Sequence, residues 1–326
     1  MIVITKTNAT VIAYLKRGKL LWNQAAKELG STPNILLPTD YLIWLKEKLP
    51  KLKPASRRLY LASTKEFLNH ILISDGSYGG GKENLNSTLE LSSKLQSIDF
   101  NPKFKYSLPS RTSNQKAKKI NFSELKFLVQ KTQGMKGKWI KAALIWMLAN
   151  ILVGLRPSEW RSASLTVAGG KFILVVVNGK NTNGRAHGLL RHINVTNLEP
   201  QDLNWVKLQL QAVRQYVKND ATWEGYYGGV RKTIHKITRK FLSKRDKHMS
   251  LYSARHQFSA NAKSIGMSKV EVAALMGHAV DGTAGFHYGK KKHGTGNCGV
   301  QADPTDMLKV RIKPTPQTIQ SPRIGM

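Results

Sequence analysis

Apolar residues in the first third of the chain recur at helical spacing. Val11, Ile12, Leu15 and Leu21 predict a helix over 8–29. A second helix is predicted over 39–49, stopped by Pro50. Leu59, Leu61, Phe67, Leu68, Ile71 and Leu72 predict a third over 55–73. Gly79-Gly80-Gly81 interrupts the pattern, and 87–98 is a short amphipathic stretch. Residues 102–119 contain Pro102, Pro109, several Ser and Asn, and six Lys/Arg with no acid, which predicts a linker. Ser123-Glu124 then opens a helix over 125–131, and 137–153 is strongly apolar. Phe172 to Val177 is β-branched and predicts a strand, with Gly188 to Val195 as its hairpin partner across the polar turn 178–187. Helices resume at 201–218, 228–243, 253–264 and 268–276. Residues 294–326 show no periodicity, and no internal repeat is visible. The longest apolar run, Ala142 to Leu155, is broken by Asn150 and falls short of the ~20 residues that span a bilayer. It predicts a buried core helix.

Charge changes this picture most. Lys and Arg number 52 against 19 Asp and Glu, so the formal charge is 52 − 19 = +33, with a pI near 10.3. That balance points to a polyanionic partner, nucleic acid ahead of an anionic membrane. Hydrophobic residues still make up 41% of the 326, enough for a core, which argues against wholesale disorder. The length suits one large domain or two ordinary ones. A single cysteine, Cys298, excludes an internal disulfide framework and a CxxC zinc ribbon. The N-terminal MIVITKTNAT lacks the pattern of a secretory signal, so the expected location is cytoplasmic, on DNA and away from membranes.

Four polar clusters carry candidate chemistry. The first is Gly154-Leu155-Arg156-Pro157-Ser158-Glu159, at the end of the most apolar helix. Alone it reads as a basic helix terminus. The second is Lys180 in the turn between the two strands, where a lysine ordinarily serves solubility. The third is Tyr252-Ser253-Ala254-Arg255-His256, in which Tyr252 and Arg255 share a helical face. One helical step of about 100° turns His256 away from that face. The fourth is Leu275-Met276-Gly277-His278, followed by Phe286-His287-Tyr288. Two rival motifs fail. Gly76-x4-Gly81-Lys82 has Glu83 where a P-loop needs Ser or Thr. His278, His287, His293 and Cys298 have no usual zinc spacing.

In their order, the four clusters resemble the tyrosine recombinase (phage integrase) family over about residues 120–290. GLRPSE is similar to the family's first arginine box and YSARHQFSA to its second. The interval from Arg255 to His278 is 23 residues, LMGH resembles the family's LLGH, and Tyr288 falls one residue later than the commonest spacing. The resemblance implies a mainly α fold with a small β-hairpin or sheet. It further implies a two-domain, C-shaped DNA clamp. Its parts would be a helical core-DNA-binding domain over 1–101, a basic interdomain linker over 102–119, an α+β catalytic domain over 120–293 and a C-terminal tail over 294–326. That tail would dock on a neighbouring protomer or stay disordered.

The implied activity is site-specific DNA recombination through a 3′-phosphotyrosyl intermediate. Two guanidiniums, Arg156 and Arg255, suit the non-bridging oxygens of the transition state. Tyr288 is the implied nucleophile, and Lys180 the acid that protonates the departing 5′-oxygen. His278 would hydrogen-bond the phosphate, and Glu159 would orient a catalytic side chain. Tyr252 stands where the family usually has His. A phenol, with a pKa near ~10, is no neutral-pH base, yet it can donate to a phosphate oxygen; otherwise Tyr252 only packs. Neither metal nor nucleotide nor other cofactor is implied. The implied partners are double-stranded DNA and three further copies in a synaptic tetramer, with room for accessory DNA-bending proteins. Residues 231–255 carry nine Lys/Arg against the single acid Asp246. Within them Arg231, Lys232, Lys236, Arg239, Lys240, Lys244 and Arg245 are candidate phosphate contacts, with Lys116, Lys118 and Lys119 of the linker. A type IB topoisomerase would share this chemistry. A catalytically silent DNA-binding protein would share the fold.

The charge makes a first prediction. Log affinity for duplex DNA should fall steeply with log salt, by about −0.9 per phosphate contact. A slope shallower than about −3 in a salt titration would indicate a small basic patch in place of a clamp.

Overall fold

The computed structural model describes residues 8–52, 54–73, 116–179, 181 and 184–313. The glycine-rich break, the 87–98 stretch, the P-loop-like segment, most of the linker and Lys180 lie outside these residues. The chain divides into two compact units, Met1–Pro109 and Ser110–Met326.

The described residues of the first unit form α1 (Asn8–Glu28), α2 (Pro38–Lys48) and α3 (Pro54–Ile73). Pro38 opens α2 at a position where its missing N–H costs no hydrogen bond. The core is aromatic: Trp22, Tyr41, Trp44 and Phe67 pack with Leu21 and Leu45. Their polar tips are satisfied. Trp22 donates to the Pro33 carbonyl at 2.8 Å, and Trp44 to Glu28 at 2.9 Å. The Tyr41 hydroxyl lies 2.7 Å from that of Thr64.

The second unit is α+β. Its helices are α4 (Phe122–Thr132), α5 (Ile140–Val153), α6 (Pro200–Tyr216), α7 (Asp220–Phe241), α8 (Leu251–Ser264), α9 (Lys269–Leu275), α10 (Thr283–His287) and α11 (Pro304–Leu308). The Glu124 side chain accepts from the Asn121 backbone N–H at 3.0 Å and caps α4, so it starts slightly earlier than Ser123-Glu124 suggests. The apolar α5 sits at the centre, with Ala143, Trp146, Met147, Ala149 and Val153 fully buried, and packs against α4, α6, α7 and α8. Among the described residues, no helix is long and apolar enough to cross a membrane.

The sheet is larger than the predicted hairpin. Four antiparallel strands run in order β1 (Ser164–Ala168), β2 (Lys171–Val177), β3 (Leu190–Asn194) and β4 (Gln301–Ala302). The edge strand β1 is half-exposed, so its sequence carries little hydrophobic alternation. Helix α7 begins at Asp220, eight residues before the predicted start. Three glycines between 225 and 229 depress helix propensity there. Burial of Trp223, Tyr226 and Val230, together with the Asn219–Thr222 cap, outweighs that cost.

Residues 301–313 differ most from expectation, because they fold against their own chain. Strand β4 pairs with β3, Val310 is buried, and Arg311 exchanges backbone hydrogen bonds with Ala279 and Asp281. The buried Asp306 accepts from the His192 backbone N–H at 2.7 Å and from Lys309 at 2.8 Å. Asp306→Ala orphans that N–H and should cost about 1–3 kcal/mol in urea denaturation. Unchanged stability would mean that this segment does not belong to the cooperative unit.

Candidate active site

Helix α5 ends at Gly154, whose left-handed conformation (φ 64°) turns the chain so that Leu155 enters the core. Arg156 follows in extended conformation, and Pro157 opens a 3₁₀ turn, Pro157–Arg161. That turn brings Glu159 back onto Arg156. One carboxylate oxygen accepts from the Arg156 backbone N–H at 2.7 Å, and the other from its guanidinium at 2.6 Å. Arg156 is 6% exposed and Glu159 1%. Arg191 on β3 reaches the same carboxylate at 2.7 Å, and the Gly179 N–H donates to it at 3.0 Å. Asn178 accepts a short hydrogen bond from Arg191 and ties the turn after β2 to it.

Helix α8 supplies the other guanidinium. Arg255 is fully buried and donates to the Gly154 and Met276 carbonyls, the latter at 2.6 Å. These carbonyls belong to the C-caps of α5 and α9. Two helix ends, each carrying partial negative charge and unmatched carbonyls, thus fix the plane of one cation. Arg156 donates to the neighbouring Gly277 carbonyl at 3.3 Å. Around Glu159 stand Arg156, Arg191 and, at 3.8 Å, Arg255. Burial alone would raise the Glu159 pKa. The guanidiniums of Arg191, Arg255 and Arg156 outweigh it and hold the carboxyl well below the usual range. One carboxylate against three guanidiniums leaves a buried excess of positive charge, which suits an anion.

Tyr288 follows α10 in extended conformation and is half-buried. The Arg255 Nε donates to its hydroxyl at 3.3 Å, and the guanidinium lies 5.2 Å from its ring centroid. The rings of His278 and His256 lie 5.1 Å from it. Burial, then Arg255, Arg156 and Arg191, push the His278 pKa down to about 2. It is therefore neutral at pH 7. Because arginine only donates, His278 Nε2, 3.3 Å from Arg255, is an acceptor and its proton sits on Nδ1. That Nδ1 is buried and has no hydrogen-bond partner among the described residues. Burial and then Lys118 lower His256 to about 4.

Arg156, Glu159, Arg255, His278 and Tyr288 thus share one site. Tyr252 is 38% exposed at its edge; burial of the phenol raises its pKa, against the pull of Arg255. A cavity of about 450 Å³ beside it is lined by Lys116, Tyr227, Arg231, His235 and His248. A larger cavity of about 760 Å³ lies elsewhere, around Phe122, Leu148 and Trp205, and touches none of the candidate residues. Lys116, Lys118, Lys119, Arg231, Lys232, Lys236, Arg239, Lys240 and Lys244 are exposed. Arg245 is instead engaged within the chain, by Glu124 at 2.7 Å and the Lys119 carbonyl at 2.9 Å.

Sequence reasoning missed Arg191 and His256. Arg191, Ile193 and Val195 occupy the inward positions of an alternating strand, and an arginine there signals a buried ion pair. His256 does turn from the face of Tyr252 and Arg255, and meets the Tyr288 ring instead.

No family model and no curated protein matches the chain. Three solved structures similar to it are a XerH site-specific recombinase bound to difH substrate, a XerA recombinase, and the Tn1549 transposon integrase with transposon right-end DNA. The first is 13% identical, with a TM-score of 0.40, over 88% of this chain and 95% of that one. The second is 14% identical (TM-score 0.35), over 85% and 86% respectively. The integrase is 13% identical (TM-score 0.37), over 85% and 96%.

Glu159→Gln should destabilise the protein by about 3 kcal/mol at pH 7, because it leaves buried guanidiniums without their counter-charge. The carboxyl titrates lower in the fold than in the unfolded chain, so its contribution is complete above about pH 4.5. It drains away as pH falls below that. Denaturation curves of the two proteins should therefore converge in acid.

Proposed function

We propose that the chain is a DNA strand-transferase that cuts and rejoins duplex DNA through a tyrosyl phosphate, as a site-specific recombinase does. The observation that carries this reading is Tyr288, whose phenol rests on a buried arginine in a pocket of excess positive charge. In the proposed step the Tyr288 hydroxyl gives its proton to water as its oxygen attacks phosphorus, a 3′-phosphotyrosyl bond forms and the P–O5′ bond breaks. Lys180, the residue after Gly179, gives its proton to the 5′-oxygen. Arg255 and Arg156 neutralise the non-bridging oxygens, and the His278 Nδ1–H is a further donor. Phenol and phosphate compete for the same Arg255 N–H, so arrival of the phosphate releases the nucleophile. Tyr252 donates from the edge of the site. The energy of the broken bond stays in the tyrosyl phosphate, and the scheme uses neither metal nor nucleotide.

Duplex DNA would lie against the basic face of α7, where Lys232, Lys236 and Lys240 repeat every four residues beside Arg231 and Arg239. Assembly of four copies on two DNA sites, and the clamp arrangement, belong to the same proposal. A nicked suicide substrate tests it. Wild-type protein should form a covalent adduct, and Tyr288→Phe should abolish the adduct while leaving DNA affinity unchanged. Undiminished trapping by Tyr288→Phe would remove Tyr288 from this role.

A further inference from the structure

Helix α8 has a second functional face. Tyr252 and Arg255 lie on one side of it. His256, Ala260 and Lys263, at intervals of four and three residues, lie on another. Among the described residues, this second face meets the segment that carries Tyr288 through all three side chains. The His256 ring packs on the Tyr288 ring at 5.1 Å. Gly289 lies so close to the helix that a Cβ would overlap the His256 carbonyl and press on Ala260. Lys263 donates to the Ala284 carbonyl at 2.8 Å and to the Gly289 carbonyl at 2.7 Å. One ammonium therefore grips the chain on both sides of Tyr288.

The segment needs such a grip. Helix α10 has five residues and no side-chain cap. A helix that short has little stability of its own in water, so contacts from outside set its position. Lys263 is half-buried, and its partners among the described residues are carbonyls, without a carboxylate. Burying this ammonium costs solvation that the two hydrogen bonds offset, and its two donors define a geometry.

We propose that Lys263 is a positioning residue for Tyr288: by tying Ala284 and Gly289 to the helix that bears Arg255, it sets where the phenol stands relative to the arginine. The inference rests on the strand-transfer reading for its consequence in catalysis, and on the two hydrogen bonds for the tether itself. A reacting atom misplaced by about 1 Å can cost on the order of 100-fold in rate.

Two measurements on the full chain test the proposal. In amide hydrogen exchange without DNA, Lys263→Met should exchange faster over residues 283–289 and at the wild-type rate in α5 and β3. In single-turnover trapping on the nicked substrate, Lys263→Met should be slower by about 10–100-fold at unchanged DNA affinity. Lys263→Arg, which keeps two donors, should recover much of that rate, which a loss of general stability would not allow. Wild-type exchange over 283–289, or wild-type trapping by Lys263→Met, overturns the proposal. If wild-type protein forms no adduct, the strand-transfer reading fails and exchange alone decides the tether. If Lys263→Met does not fold, Lys263→Gln, which can serve one carbonyl at a time, is judged by the same two measurements.

Discussion

The arrangement of the site depends on one buried carboxylate. Glu159 stands among Arg156, Arg191 and Arg255, and without it three guanidiniums would share a space from which water is excluded. Removing charge from water costs several kcal/mol per ion, and a carboxylate with complete hydrogen bonding is what offsets it. Glu159 accepts from two arginines and from the backbone N–H groups of Arg156 and Gly179. It thereby joins the end of α5, the turn after β2 and the middle of β3. The positive excess that remains is the property an incoming phosphate would use.

The second device is the use of helix ends as ligands for a cation. Gly154 and Met276 close α5 and α9, and their carbonyls hold Arg255 in a fixed plane. A guanidinium anchored on its far side keeps one edge in a fixed orientation. Tyr288 already occupies part of that edge. The same helix then grips the tyrosine segment from its other face, so α8 positions both Arg255 and Tyr288.

Much of the fold was legible because its periodicities are strong. Helices α1 to α3, α5, α6, α8 and α9 follow from apolar spacing, and β2 from its run of β-branched residues. The edges of the sheet were not legible. Strand β1 is too exposed to alternate, and β4 has two residues whose pairing depends on a partner more than a hundred positions away. Residues 301–313 show no pattern because their order comes from Asp306 and Val310 docking on the rest of the unit, not from local propensity.

By itself the sequence determined the chemical inventory: a strong positive charge, two arginine boxes, a histidine and a tyrosine in a particular order. It also determined the phase of α8, because three residues of separation put Tyr252 and Arg255 on one side of any helix. Only the tertiary structure decided what each group faces. Arg191 became part of the site because β3 pairs with β2 in a register that brings it to Glu159. His256 and Lys263 meet the Tyr288 segment because that segment folds back across α8. Such meetings depend on contacts between residues 21 to 32 positions apart, and local spacing carries no information about them.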